Sequence, residues 1–373
     1  MERVSLAGFV LLCAVLASYV MATLRPISAD ELSTATLGVV SCLGWLGLLL
    51  LGATMIGRAD RLTQLFDRVV LAGGLLALLG LAQFFFHQTF IDIIQIPGLS
   101  ATQPIYGVQS REGFTRPAGT AIHPIEFGVV LTTVLPMAIA RAIDGRELRP
   151  VRRYFPASAI LLAILLSVSR SALVCAAVGI IVCIPGWPRR ARGPIMVACG
   201  GLGVLVFLTV PGMLGSILGL FSGIGTDSSA QSRVDSWGFA LHYFAESPIL
   251  GRGFATFLPK YHILDNQYLL LLVEMGVVGL VAVLALVASG LRSAFAAASF
   301  LPPESRVQPI ALAGGIAAAA SSLALFDAFS FPMVPGLLFL LLGMAGGWLG
   351  CSAAPSDTGV LAAVAGRGES YRC

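Results

Sequence analysis

Apolar runs long enough to cross a bilayer recur along almost the whole of this 373-residue chain. A transmembrane helix needs ~20 apolar residues to span ~30 Å of hydrocarbon. Only helices and closed barrels satisfy their own backbone groups in that medium. Ten segments meet the rule, near residues 6–24, 35–57, 69–86, 122–140, 154–169, 171–187, 194–211, 266–288, 308–326 and 332–350. Hydrophobic residues make up 57% of the chain and charged residues 11%, with a mean hydropathy of +0.90. Those values exclude a soluble globular domain of this size. The reading is an all-α polytopic integral membrane protein with about ten transmembrane helices. The first run is too long for a removed signal peptide and lacks the small-residue cleavage pattern.

Charge orients the bundle. With the N-terminus inside, 16 of the 23 basic residues fall in cytoplasmic segments, leaving Arg25, Arg111, Arg116, Arg170, Arg233, Arg252 and Lys260 outside. The inner clusters are Arg58, Arg61 and Arg68, then Arg141 to Arg153, then Arg189, Arg190 and Arg192. The positive-inside rule predicts an N-in, C-in topology. Both loops flanking residues 154–187 are strongly basic, so an even number of crossings separates them. Two short helices meeting at Ser169-Arg170-Ser171 satisfy this and put Arg170 at the outer face. The net charge of +4 is the same cytoplasmic excess and implies no nucleic-acid partner.

Residues 1–350 read as a single transmembrane domain, and 351–373 as a disordered cytoplasmic tail of small and polar residues. No cysteine falls in an outer segment, and no CxxC or His/Cys cluster suggests a metal, so no cofactor is implied. Two extracytoplasmic loops are long, roughly 87–121 and 212–265. Neither is large enough for a separate domain, so any site is built from these loops and the outer helix ends.

Polar residues concentrate in one region. Arg233, Arg252, Lys260, His262, Asp265 and Asn266 lie within 34 positions, and the last two open a long apolar helix. Ser232-Arg233-Val234-Asp235 has the form of a capping box with Ser232 as N-cap. Val234, Trp237, Leu241 and Phe244 follow at helical spacing up to Pro248, which predicts a short amphipathic helix on the outer leaflet. Arg233 on its first turn suits either a phosphate or lipid head groups. Arg170 suits either a charge-assisted clamp on an anion or a hydrogen bond to the carbonyls ending the preceding helix. Asp265 reads as an N-cap or as a proton acceptor. Glu274, eight residues further on, is a carboxyl in apolar surroundings. Gly276 and Gly279 are expected to permit close helix packing.

Read in order, SRSA at 169–172, S-R-x-x-x-W-x-x-A-L from 232, P-x-x-G-x-G from 248 and D-N-x(9)-G-x-x-G from 265 resemble the bacterial O-antigen ligase and polymerase superfamily. Arg116-Pro117-Ala118-Gly119-Thr120, with His123-Pro124, resembles a further stretch, so the likeness spans about 110–285. It implies a metal-independent membrane glycosyltransferase using a polyprenyl (undecaprenyl) diphosphate-linked glycan donor. It also implies that Arg170 and Arg233 hold the diphosphate and that the position of Asp265 carries the base. Arg116, His123, Arg252, His262, Asn266 and Glu274 are the further substrate-binding candidates. The ligases have a histidine where Asp265 stands, which favours a polymerase-like member. Expected partners are the lipid-linked donor, a glycan acceptor, the bilayer, a chain-length regulator and a flippase. The competing readings are ligase-type transfer to another acceptor, and a transporter or flippase. A transporter predicts ionisable groups at the midplane of several helices, whereas most ionisable residues here sit at or beyond helix ends.

Overall fold

A computed structural model describes residues 3–55, 59–91, 109–111, 114–145, 149–167, 169–209, 228–303 and 305–353. Most of loop 87–121, residues 210–227 and the tail beyond 353 lie outside the described residues. The helices are α1 (Arg3–Thr23), α2 (Ala29–Ala53), α3 (Ala59–Phe86), α4 (Pro124–Asp144), α5 (Pro150–Leu166), α6 (Arg170–Cys183), α7 (Arg189–Thr209), α8 (Ser228–Glu246), α9 (Gln267–Phe300), α10 (Val307–Ser322) and α11 (Met333–Ala353). A small antiparallel ribbon, β1 (Gln109–Arg111) with β2 (Phe114–Arg116), pairs Gln109 with Arg116 in the first long loop. That ribbon was not anticipated from the sequence.

Among the described residues, six helices are long and apolar enough to span a membrane: α1, α2, α3, α4, α9 and α11. Two shorter apolar helices, Arg170–Gly186 and Val307–Ser322, accompany them. The protein is thus a helical multi-pass membrane protein. Helix α4 is the centre, buried nearly throughout, with α6 and α10 packed on it. Helices α2 and α9 flank α11, α1 rests on α9, and α3 lies against α5. Outward residues such as Leu37, Val40, Leu71 and Val281 are apolar and exposed, as lipid-facing positions are.

Helices α5 and α6 are separate, as expected, but α6 already starts at Arg170, so the junction lies just before the Arg170-Ser171 pair expected to form it. The break is sharp because Ser169 leaves helical geometry (φ −120°, ψ 112°) and caps α6, its side chain accepting from the Ala172 amide at 3.3 Å.

The two ends of the bundle differ chemically. Helices α2, α4, α6, α9 and α11 all start at one end, together with the loops 24–28, 117–123, 247–266 and 323–332. Hydrogen bonds join these segments: the Met333 amide donates to Glu126 at 2.7 Å, and the Gln267 amide to the Leu323 carbonyl at 2.7 Å. The opposite end collects the described arginines of the basic clusters. There Arg153 donates to the Ala142 carbonyl at 2.7 Å, Arg192 to the Trp187 carbonyl at 3.1 Å, and Arg141 pairs with Asp67.

Two expectations on the second long loop need correction. Helix α8 is already under way at Ser228, so Ser232 lies a turn inside it and is not an N-cap. A matching S-x-x-D pattern does not cap when the preceding residues also take helical geometry. Gly276 is not a packing glycine in a straight helix. It adopts φ +62° and ψ −160° and kinks α9. A Cβ there would lie 2.4 Å from the Ile249 carbonyl oxygen, so both the conformation and the space require glycine.

Candidate functional site

The kink in α9 exists to receive the P-x-x-G-x-G loop. The Arg252 and Gly253 amides donate to the carbonyls of Val273 and Glu274 at 3.0 and 2.9 Å, and the Val277 and Val278 amides donate to Pro248 and Ile249 at 2.9 and 3.2 Å. Glu274, only 3% exposed, completes the joint from its side chain, accepting from the Phe257 amide at 3.1 Å. Its own carbonyl accepts from Ser18 on α1 at 2.8 Å. The structure therefore shows Glu274 fastening backbone to backbone. This is how a buried carboxyl is tolerated in an apolar helix.

The residues held by that loop form one cluster. Arg252 lies over the rings of Tyr243 and Tyr261, at 4.7 and 5.7 Å, and 3.8 Å from Glu31. Arg25 donates to the Arg252 carbonyl at 2.9 Å and pairs with the same Glu31 at 3.3 Å. Two guanidinium groups share one buried carboxylate, which is also the N3 member of a capping box with Ser28 on α2. Beside them, His262 accepts or donates a 3.2 Å hydrogen bond with Ser236 and stacks on Phe239 at 4.4 Å. Helix α8 thus docks by Ser236, Ala240 and Tyr243, leaving Trp237 and Leu241 exposed as an interfacial helix would.

The N-terminus of α9 separates two neighbours that the sequence leaves equivalent. Asn266 is the N-cap: its Oδ1 accepts from the amides of Tyr268 and Leu269 at 3.0 and 3.2 Å. Asp265 precedes the cap and makes no capping bond, and among the described residues no side chain is hydrogen-bonded to it. The capping role therefore falls on Asn266. The Asp265 charge acts on Asp327, in the loop between α10 and α11. Burial pushes the Asp327 carboxyl above the usual carboxylate range, against a hydrogen bond from Ser330, and the Asp265 charge raises it further.

The same 323–332 loop reaches α4. Phe331 lies 6.0 Å from the His123 ring. His123 caps α4, its Nδ1 accepting from the Ile125 amide at 3.1 Å, so the neutral ring carries its proton on Nε2. Burial and the nearby Arg116 charge both hold the imidazole below its ordinary range. The RPAGT stretch between them is tied to α3 by Gln83. The Gln83 Oε1 accepts from the Ala118 and Gly119 amides at 3.1 and 2.7 Å, and its Nε2 donates to the Gly119 and Thr89 carbonyls at 2.9 and 2.6 Å. Arg170 opens α6 one residue after its cap. Ser167, Ser169 and Ala172 pack near Gly128, just inside the start of α4.

Of the sequence candidates, the structure links Arg116 with His123 and sets Arg170 on the adjoining helix start. It brings Asp265 to Asp327 and places Arg252 and His262 in the neighbouring cluster. Arg233 has a helical backbone in α8, and its side chain lies outside the described residues. The sequence reading missed Asp327, Gln83, Glu126 and the Arg25–Glu31 pair. Asp327 had a visible signal: it is the sole charge between two apolar helices. Glu31 also had one, the S-x-x-E capping box it forms with Ser28, whereas Gln83 and the Met333 bond of Glu126 depend on partners elsewhere in the fold. Among the described residues, no three His, Cys, Asp or Glu side chains stand in a group that could hold a metal ion.

The helix starts gathered at this end bring their partial positive charge close to Arg25, Arg116, Arg170 and Arg252. Fold and site together define a helical multi-pass membrane protein with polar and charged groups assembled at one end. More particularly, residues 155–284, from α5 into the first half of α9, match the O-antigen ligase family. That stretch contains SRSA, the α8 motif, the P-x-x-G-x-G loop and Asp265-Asn266, so the resemblance to the O-antigen ligase and polymerase superfamily holds. A chain from a structure described as "Structural coordination of polymerization and crosslinking by a peptidoglycan synthase complex" aligns over 92% of this chain and 96% of its own. Its identity is 19% and its TM-score 0.44, a likeness too loose to define a shared fold. No curated protein matches the sequence.

Proposed function

We propose that the protein is a membrane glycosyltransferase that polymerises polyprenyl diphosphate-linked oligosaccharide at the outer face of the bacterial cytoplasmic membrane. The observation that carries this reading is the O-antigen ligase match over the segment holding Arg170, Arg233 and Asp265. The ten-span, N-in, C-in topology belongs to the same proposal and puts the loop end outside.

The chemistry follows from the groups at hand. An acceptor hydroxyl attacks the anomeric carbon, the bond from that carbon to the diphosphate oxygen breaks, and the polyprenyl diphosphate leaves. Asp265, free of the capping role, takes the hydroxyl proton. Arg170 and Arg233 stabilise the leaving diphosphate, helped by the dipoles of the helix starts. Arg116 and His123 bind the adjoining part of the donor. Arg252 and His262, with their aromatic neighbours Tyr243, Tyr261 and Phe239, offer the stacking surfaces a sugar chain uses. Asn266 and Glu274 act through placement, by capping α9 and fastening the loop.

The description of the family as an O-antigen ligase favours a second reading, transfer of finished glycan to a different acceptor. Purified protein in detergent, given only a lipid-linked oligosaccharide, separates the two. A ladder of longer lipid-linked products supports polymerisation. Product formed only after an unrelated acceptor is added supports ligation, and no product from either refutes both.

A further inference from the structure

The arginine end of the bundle holds a cleft of about 1360 Å³, remote from the candidate site. Among the described residues, Arg189, Arg190 and Arg306 line it, with the carboxylate of Asp144 beside them. Arg306 spends its Nε on the Leu301 carbonyl at 2.7 Å, which fixes the side chain and leaves its terminal nitrogens to other partners. Trp187 also lines the cleft. It is 2% exposed, and among the described residues its indole Nε1 has no hydrogen-bond partner. Buried donors are rarely left without an acceptor, so an indole N–H bordering a basic cleft points to an acceptor that enters from outside.

A second cavity, of about 610 Å³, adjoins the first between α5 and α7. Ile143, Pro188 and Arg190 line both. Its walls are otherwise mainly apolar, with Leu135, Ile139, Leu161 and Ala198 among them. The basic residue on its rim besides Arg190 is Arg153, already bonded to the Ala142 and Ile143 carbonyls. The flank it opens on exposes Val151, Tyr154, Met196 and Val197, as a surface facing lipid does. Its volume lies within the roughly 300–1,000 Å³ of pockets that bury one small ligand.

A soluble anion accounts for the arginines and leaves the groove unexplained. A neutral lipid accounts for the groove and leaves the arginines and the indole N–H unexplained. We propose that the paired cavities hold one anionic phospholipid, with an acyl chain between α5 and α7. Its phosphate then meets Arg190, Arg189 and Arg306 and accepts from Trp187. This site is independent of the glycosyltransferase reading.

The test is native mass spectrometry of the purified full-length chain with phosphatidylglycerol or phosphatidylcholine of matched acyl chains. Each basic residue near a lipid head group is worth about fivefold in affinity. Phosphatidylglycerol is therefore expected to bind at least tenfold more tightly. Arg190→Gln and Arg306→Gln are each expected to cut that preference about fivefold, with Arg190→Lys keeping most of it. Trp187→Phe weakens phosphatidylglycerol severalfold, and Ala198→Trp, which fills the groove, weakens both lipids. Unfolding temperatures of the variants confirm that each is folded. Equal binding of the two lipids, or a preference unchanged in both glutamine variants, overturns the proposal. Full binding by Ala198→Trp, or displacement of phosphatidylglycerol by millimolar inorganic phosphate, assigns the cleft to a soluble anion and also overturns it.

Discussion

Asp265 and Asn266 stand side by side; the structure gives the cap to Asn266 and the proposed mechanism gives the base to Asp265, so substituting each one separately tests the division. Asn266→Ala removes a side-chain oxygen that accepts two amides of α9, at 3.0 and 3.2 Å. Loss of such a cap costs roughly 0.5–2 kcal/mol, and the unfolding midpoint in detergent is expected to fall accordingly. Asp265→Asn removes no hydrogen bond and relieves the charge that presses on Asp327, so stability should hold or rise slightly. It does remove the proton acceptor, whose loss costs about 10²–10⁴-fold in rate. The assay is elongation of a purified lipid-linked oligosaccharide, read as chain length against time beside a thermal melt of the same preparation. In cells, single repeat units should accumulate on the lipid carrier. Asp265→His, which restores the residue of the ligases, should recover part of the activity. An Asp265→Asn protein that elongates at the normal rate refutes the base assignment. One that melts as early as Asn266→Ala refutes the division of labour at this helix start.

Arg170→Lys keeps the charge and loses the planar fork, so activity should fall strongly with normal membrane insertion if a diphosphate is gripped bidentately; unchanged turnover with Lys or Ala at both 170 and 233 removes these arginines from the mechanism. Gln83→Leu strands the buried Gly119 amide and should lower stability by about 1–3 kcal/mol, measured by thermal unfolding. Gly276→Ala should be worse, because φ +62° and the Ile249 carbonyl at 2.4 Å leave no place for a Cβ; folded yield after membrane extraction is the readout. His123 has a folded-state pKa below its ordinary value of 6.5, so the unfolded chain binds more protons just below that pH. Stability should be full above it, decline as pH falls through that window and level off below the folded value. His123→Asn should flatten the decline in a series of melts.

The sequence by itself determined the class of molecule. Apolar runs of bilayer length point to a helical bundle, and the break near Ser169 was legible because the strongly basic loops on either side demand an even number of crossings. The order of short motifs carried the resemblance to the superfamily, since these residues carry local signals in cap, turn and charge. Tertiary structure decided what local signals cannot. Asp265 and Asn266 are equally good caps by residue type, and only the geometry of the chain entering α9 selects one. Ser232 matches a capping pattern and loses the role because the helix starts earlier. Gly276 resembles a packing glycine until a loop from thirty residues upstream bonds to its neighbours. Asp327 becomes relevant only because the turn between α10 and α11 folds back against the start of α9. Glu274, Glu126 and Gln83 look like unexplained polar groups in hydrocarbon, because the amides that satisfy them come from distant loops. Hydrogen bonds between segments far apart in the chain have no signature in either segment alone, so the fold assigns those roles.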